Sequence, residues 1–196
     1  MGVITAPAAA ESRLLTAEEF FALPGDDRAE LVDGVVVMVP PASHTHGSVN
    51  SRLLSRLAAH VYGGKLGEVY DSSTGFLLRR DPDLVRAPDV AFVSAARVPL
   101  LQQGKPGSVA LAADLAVETL SPSNTASEMQ RKTDEYLRHG TRLVWVIDPD
   151  ERTAVAYAPD APVRWLAEGD ALDGGAVVPG FSVPLAFVFA GLGPRG

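Results

Sequence analysis

Alternating apolar and polar positions predict two strands that each carry one acidic residue. The stretch R-A-P-D-V-A-F-V at 86–93 places Asp89 on the same strand face as every second residue after it, and L-A-V-E-T-L at 115–120 does the same with Glu118. A carboxylate among apolar strand residues is unfavourable unless a partner compensates its charge. If the two strands are neighbours, both acids enter one space, where a divalent cation would offset their repulsion.

Further patterns predict the elements around this pair. A capping box of sequence T-A-E-E starts a short helix, and Asp33-Gly34 is the tight turn of a hairpin whose first strand carries Glu30. Apolar residues at four-residue steps predict a helix over residues 43–62 that ends at Gly63-Gly64.

The second half of the chain continues the alternation of strands and helices. G-E-V-Y and T-G-F-L-L-R-R are predicted to pair as a second hairpin. After the Glu118 strand a helix runs to His139 and ends at Gly140, and R-L-V-W-V-I-D is a buried strand. Short strands are predicted in the tail, at 163–166 and around Val177. This order predicts an α/β fold with a mixed central β-sheet flanked by helices.

Composition narrows the class of protein. The 196 residues are 46% apolar, carry a net charge of -7 and include no cysteine. We expect one domain over residues 15–190, a flexible arm at 1–14 and a tail at 191–196. The charge argues against a general basic nucleic-acid binder, and the lack of cysteine excludes disulfides and zinc–thiolate sites. No apolar run approaches the roughly 20 residues of a membrane span, so we expect no membrane partner and a cytoplasmic location.

The acidic pair and a nearby lysine indicate a metal-dependent hydrolase. Mg²⁺ or Mn²⁺ binds hard oxygen ligands, and one or two carboxylates plus a substrate phosphate complete its shell. Asp89 and Glu118 fit that requirement. Lys132 lies on the helix after Glu118 and shares a helical face with Tyr136. Such a lysine orients or deprotonates the attacking water, or stabilises developing negative charge.

Five segments in order carry a resemblance to a known family. They are E-L-V-D-G with Glu30, P-D-V with Asp89, E-T-L-S-P-S with Glu118, K-x-x-x-Y from Lys132 and V-x-x-I-D-P from Val144. From about Thr16 to Phe189 the chain resembles the Uma-two (Uma2) family of the PD-(D/E)XK nuclease superfamily. The resemblance implies a restriction-endonuclease-like fold and a magnesium-dependent endonuclease that hydrolyses DNA.

The resemblance also implies roles for individual residues. Pro88-Asp89 matches the first carboxylate of the superfamily pattern, Glu118 its second acidic position, and Glu30 an additional glutamate near the N-terminus. Glu30 is expected to assist catalysis through a water molecule or the metal. Leu120 occupies the usual place of the lysine, which moves that role to Lys132. Independently of the resemblance, the sequence context predicts supporting roles for Tyr136, Arg86 and His46. Because the two strands of DNA need two sites, a homodimer is expected.

Alternatives stay open at this stage. Arg86 either meets a phosphate or pairs with a carboxylate, and His46 contacts phosphate, acts as a ligand or is simply part of a polar helix start. A non-catalytic module that kept the nuclease fold for partner binding or self-association would also explain the acidic balance and the displaced lysine. A phosphodiesterase acting on RNA or a nucleotide is a third interpretation.

Overall fold

A computed structural model of the protein describes residues 13–24, 28–103, 105, 109–122 and 124–193. Most of the predicted N-terminal arm and the end of the predicted tail therefore lie outside the described residues. The helices are α1 (Ala17–Phe21), α2 (His44–Gly64), α3 (Val98–Leu101), α4 (Ala126–Arg138) and α5 (Leu185–Val188). The strands are β1 (Ala29–Val32), β2 (Val35–Met38), β3 (Gly67–Asp71), β4 (Phe76–Arg79), β5 (Leu84–Arg86), β6 (Val90–Ser94), β7 (Leu115–Thr119), β8 (Leu143–Asp148), β9 (Thr153–Tyr157), β10 (Arg164–Leu166), β11 (Ala171–Asp173) and β12 (Ser182–Pro184).

A six-stranded mixed sheet forms the centre of the fold, in the order β10-β9-β8-β7-β6-β3. Strands β7 and β8 are parallel, as expected for neighbours joined by a helical crossover, here α4, and the other pairs are antiparallel. The predicted mixed sheet with flanking helices is thereby confirmed. Within the described ranges, no helix combines the length and apolar character needed to cross a bilayer.

Alternation along the central strands gives the sheet two apolar faces. Val117 packs in one core with Leu53 of α2, whereas its neighbour Ala116 packs in a second core with Met129 of α4. Glu118 lies two residues after Ala116 and points, as the same alternation requires, toward α4. The helix that follows β7 therefore folds back over the acid that β7 carries.

A smaller antiparallel sheet, in the order β2-β1-β5-β4, lies beside the central one. The predicted first hairpin forms, and both residues of its Asp33-Gly34 turn have positive φ, 53° and 77°, as a type I′ turn requires. Leu31 of β1 pairs with Val85 of β5. The register that follows brings Glu30 next to Arg86.

The predicted second hairpin is wrong. Strand β3 pairs with β6 in the central sheet, whereas β4 pairs with β5 in the smaller one. The chain turns away after β3 because Asp71 Oδ1 accepts hydrogen bonds from the backbone nitrogen and the hydroxyl of Ser73. Strand β5, which had no separate prediction, supplies the true partner of β4.

Two boundaries and one predicted tail strand also differ from the sequence prediction. Helix α2 continues through both glycines and ends at Lys65, which takes the left-handed conformation at φ 52°. The strand predicted around Val177 is wrong. Val177 lies in a turn and packs against the core, so its apolar character reflects burial without strand pairing. Asp89 directly precedes β6 instead of lying inside it.

Candidate active site

Strand pairing brings the predicted acidic residues to one end of the central sheet. Val90 of β6 lies opposite Val117 of β7, which puts Asp89, one residue earlier, next to Glu118. Both line a cleft of about 450 Å³. Side chains from α2, α4 and the segment before β1 share this lining, including Arg28, His46, Thr119 and Lys132.

Glu118 is a buried carboxylate whose charge is incompletely compensated. It is 5% exposed, and the Tyr136 hydroxyl donates a hydrogen bond to Oε1 at 2.7 Å. Lys132 Nζ lies 3.5 Å from Oε1 and 3.4 Å from Oε2. Burial raises the pKa of Glu118 to about 7, although the positive charge of Lys132 acts to lower it. The negative charges of Asp89 and Glu30 raise this pKa as well, so a cation in the cleft would favour the ionised form.

Lys132 bridges two carboxylates, because its Nζ also lies 3.1 Å from Glu30 Oε1. Burial acts to lower the pKa of Lys132, but the charges of Glu118 and Glu30 outweigh it and the pKa is raised. For Glu30, burial acts to raise the pKa, but the charges of Lys132 and Arg86 prevail and the pKa is lowered. Lys132 therefore remains an ammonium ion. This favours water orientation or charge stabilisation over proton abstraction.

Arg86 is a buried cation behind the cleft. It is 1% exposed, its Nη1 donates to Glu30 Oε2 at 2.6 Å, and its Nε donates to Glu135 Oε2 at 2.7 Å. Of the two predicted options, pairing with carboxylates is the one that forms. Arg86 thus fixes the Glu30 carboxylate, and this carboxylate in turn positions the Lys132 ammonium group.

Asp89 is held by donors from α2 and β7. His46 Nε2 lies 3.0 Å from Oδ2, and the backbone nitrogen of Thr119 donates to the same oxygen at 2.9 Å. Burial acts to raise the pKa of Asp89, but the hydrogen bond from His46, with help from Thr119 and Arg28, lowers it overall. The ionised carboxylate is therefore the stable form at this position.

A closed ring of hydrogen bonds lies behind Asp89. The Thr119 hydroxyl donates to Asn50 Oδ1 at 2.6 Å, and Asn50 Nδ2 lies 3.1 Å from His46 Nδ1. An amide nitrogen can only donate a hydrogen bond, so with Asn50 in this orientation His46 Nδ1 is the acceptor. The proton of His46 is therefore on Nε2, which donates a hydrogen bond to Asp89. The ring therefore fixes both the tautomer of His46 and the orientation of the carboxylate.

Comparison with known proteins identifies the family. The Uma2 family, described as "Putative restriction endonuclease", matches residues 17–186. The chain belongs to the Uma2 family. Its fold is similar to the crystal structure of a putative nuclease belonging to DUF820 from Anabaena variabilis, with a TM-score of 0.75 and 23% sequence identity over 90% of this chain and 98% of that chain. A search of curated proteins finds no match.

The donor set of this Uma2-family site fits a hard divalent cation. Glu118 Oε2 and Asp89 Oδ1 each have one long contact to a cation, at 3.4 Å, in the described part of the chain, whereas the other oxygen of each acid accepts shorter hydrogen bonds. Across the described ranges, no group of three or more His, Cys, Asp or Glu residues could hold a metal ion. Magnesium is commonly held by one or two carboxylates together with waters and substrate phosphates. The residues thus suit an ion that binds with its substrate.

The predicted site residues form one cluster. Those that line the cleft are Asp89, Glu118, Lys132 and His46, and those behind it are Glu30, Tyr136 and Arg86. Their catalytic and metal-binding roles stay predictions. Sequence reasoning missed Arg28, Asn50, Thr119 and Glu135 as site residues. Asn50 gave a usable signal, because it follows His46 by four residues on one helix face.

Proposed function

We propose that this protein is a nuclease that hydrolyses phosphodiester bonds of DNA with the help of Mg²⁺ or Mn²⁺. The observation that carries the proposal is the pair Asp89 and Glu118, which face one cleft beside a protonated Lys132. Membership of the Uma2 family supports the same class of activity. A polyanion approaches an acidic cleft only if the acidic charge is neutralised, and a bound cation supplies that neutralisation.

Two carboxylate oxygens, Asp89 Oδ1 and Glu118 Oε2, would hold the cation. An ion bound there would polarise the scissile phosphate and would lower the pKa of the attacking water. Tyr136 and the hydrogen-bond ring behind Asp89 keep both carboxylates in place. Lys132, as an ammonium ion, donates hydrogen bonds to the water or to the phosphate oxygens and stabilises the negative charge that develops on them.

Glu30 acts through Lys132 in this proposal. It is 3% exposed, and Arg86 and the backbone nitrogen of Ala87 donate to its two oxygens at 2.6 and 3.2 Å. Its carboxylate is therefore rigid, and its 3.1 Å contact holds the ammonium group over the cleft. A positioning role for Glu30 follows, in place of direct contact with the substrate.

Plasmid nicking tests the activity. Supercoiled DNA is incubated with Mg²⁺ or Mn²⁺ and the wild-type protein, Asp89→Asn, Lys132→Met or Arg131→Gln. We expect the first two variants to lose more than about 100-fold in rate, since even outer-shell partners of metal ligands are worth 10- to 100-fold. Arg131 is exposed on the same helix, so Arg131→Gln is the matched control for loss of one positive charge and should cleave normally. Equal cleavage by all four proteins would contradict the assigned roles.

Metal binding and substrate choice separate this proposal from its alternatives. Calorimetric titration with Mn²⁺ should give binding that Asp89→Asn weakens. No binding, together with no retention of DNA at low salt, would favour the non-catalytic module. A parallel panel of DNA, RNA and nucleotide phosphodiesters distinguishes the substrate classes. Cleavage of both DNA strands would require two sites, so we also propose a homodimer, which size-exclusion chromatography with light scattering checks.

A further inference from the structure

A second cleft adjoins the catalytic one. Its volume is about 450 Å³, and it shares Arg28 and Ala87 with the cleft that holds Asp89 and Glu118. The rest of its wall is largely aromatic and aliphatic, with Phe20, Phe21, Leu23, Val36 and Met38 among the lining residues. A substrate chain that crosses the catalytic cleft can therefore continue directly into an apolar space.

Arg28 marks the junction of the two clefts. Its side chain is 31% exposed, and its Nη2 makes a long contact of 3.4 Å to Asp89 Oδ1. A guanidinium presents five N–H donors in a planar fork that matches phosphate oxygens. Arg28 thus keeps donors for an oxyanion at the point where the two clefts meet.

The charge of the protein favours a contact to a base over a broad contact to the backbone. Binding to DNA through phosphates requires many Lys and Arg residues, and this chain has a net charge of -7. Stacking of a base on aromatic and apolar side chains supplies affinity without such a surface. The second cleft offers those side chains next to the cleft where the phosphate would react.

We infer that the second cleft binds the base of the nucleotide adjacent to the scissile phosphate, and that Arg28 binds oxygens of that phosphate where the two clefts meet. The inference rests on the proposed function, because that function fixes where the phosphate lies. A base stacked inside a duplex cannot enter the cleft, so the preferred substrate has an unpaired or extruded base beside the cleavage position.

Two residues of β2 provide a matched pair of variants. Met38 lines the second cleft and is 57% exposed, whereas Val35 is 52% exposed, pairs with Val32 and lies outside the lining of both clefts. Strand residues an odd number of positions apart point to opposite faces. Met38→Glu and Val35→Glu therefore add the same charge at similar exposure, and only the first places it in the apolar cleft.

Fluorescence anisotropy measures the effect on binding. The full-length protein is titrated, with Ca²⁺ as the hard cation, into three labelled duplexes: fully paired, with one bulged adenine, and with an abasic nucleotide in the bulge. We expect the bulged adenine to bind about tenfold more tightly than the other two, as stacking of one base implies. Met38→Glu should abolish this difference and Val35→Glu should retain it. Equal affinities for the three duplexes, or equal behaviour of the two variants, would overturn the inference.

Arg28→Gln tests the second part of the inference. It should weaken binding of all three duplexes and leave the ratio between bulged and abasic DNA unchanged, whereas Arg131→Gln should bind as the wild type does. Unchanged affinity of Arg28→Gln would overturn the phosphate contact. Nicking with Mg²⁺ is followed in parallel. Cleavage without discrimination between the duplexes would overturn only the base-binding role of the second cleft. Discrimination without cleavage would overturn only the proposed nuclease activity.

Discussion

Strand β7 carries a buried acid at each end, and the two acids have opposite surroundings. Asp114 precedes the strand and Glu118 lies near its other end, roughly 13 Å further along on the same face. Asp114 is 0% exposed, and its oxygens accept hydrogen bonds from the backbone nitrogen of Ser94 at 2.8 Å and from Arg97 Nη1 at 2.7 Å. Glu118 is equally enclosed, but its cation, Lys132, stays at 3.4 Å or more.

Burial is common to both acids, so burial does not identify the functional one. The difference lies in how completely each charge is compensated. Asp114 meets its donors at short distances and lies away from the cleft, as expected of a structural ion pair. Glu118 shares its lysine with Glu30, lies beside Asp89 and lines a cleft large enough for a substrate. A buried acid that is under-compensated and accessible from a cleft is the stronger candidate for chemistry.

The largest expected effect concerns stability as a function of pH. The pKa of Glu118 is raised from its ordinary 4.5 to about 7, so between these values the folded state binds more protons than the unfolded state. Stability from this group is therefore greatest below about pH 4.5 and falls as pH rises to about 7, by about 3 kcal/mol in total. Glu118→Gln cannot ionise, so this fall should be absent in the variant.

Urea unfolding at about pH 5 and about pH 8 measures the difference. The wild-type protein should lose more free energy of unfolding between the two conditions than Glu118→Gln does. Contributions from acids that do not interact with Glu118 appear in both proteins and cancel. Mg²⁺ added at the higher pH should reduce the gap, since the cation compensates the ionised carboxylate. Identical pH dependence in the two proteins would show that Glu118 titrates as an ordinary glutamate.

Substitution of Asp114, at the other end of β7, should lower the stability of the protein and leave its activity unchanged. Asp114→Asn leaves an amide that cannot accept from both Ser94 and Arg97, and one partner of a buried pair is lost. We expect a loss of about 2 kcal/mol in unfolding free energy, below the range for fully buried pairs because Arg97 is 26% exposed. Nicking activity per folded molecule should be unchanged. Loss of activity without loss of stability would mean that Asp114 belongs to the site.

The sequence predicted the acidic pair because a two-residue period is a local property. Alternation placed Asp89 and Glu118 on strands, and their meeting required only that β6 and β7 pair. The same alternation could not identify the partner of β4, because the apolar pattern of β4 suits pairing with β3 or β5 equally. Contacts between distant charged or polar residues, such as Arg86 with Glu135, 49 residues apart, leave no local pattern to read.

The smallest expected effect comes from the hydrogen-bond ring behind Asp89, and it tests whether the ring is more than packing. Thr119→Val keeps the shape and the backbone donor to Asp89 but removes the hydroxyl that fixes the Asn50 amide. Freed to rotate, Asn50 no longer imposes the His46 tautomer that donates to Asp89. We expect affinity for Mn²⁺ and the nicking rate to fall about tenfold, within the range for partners that orient metal ligands.

Thr119→Ser separates the hydroxyl from the methyl group of the same side chain. It restores the donor to Asn50 but loses some packing of a residue that is 3% exposed. Metal affinity, measured by calorimetry, should therefore recover in Thr119→Ser even though its stability is lower than that of the wild type. If the two variants bind Mn²⁺ alike, the ring holds α2 against the sheet and does not orient Asp89. Recovery with serine would add a second difference between the two ends of β7. Function at the Glu118 end would then depend on how the neighbouring carboxylate of Asp89 is oriented as well as on how its charge is compensated.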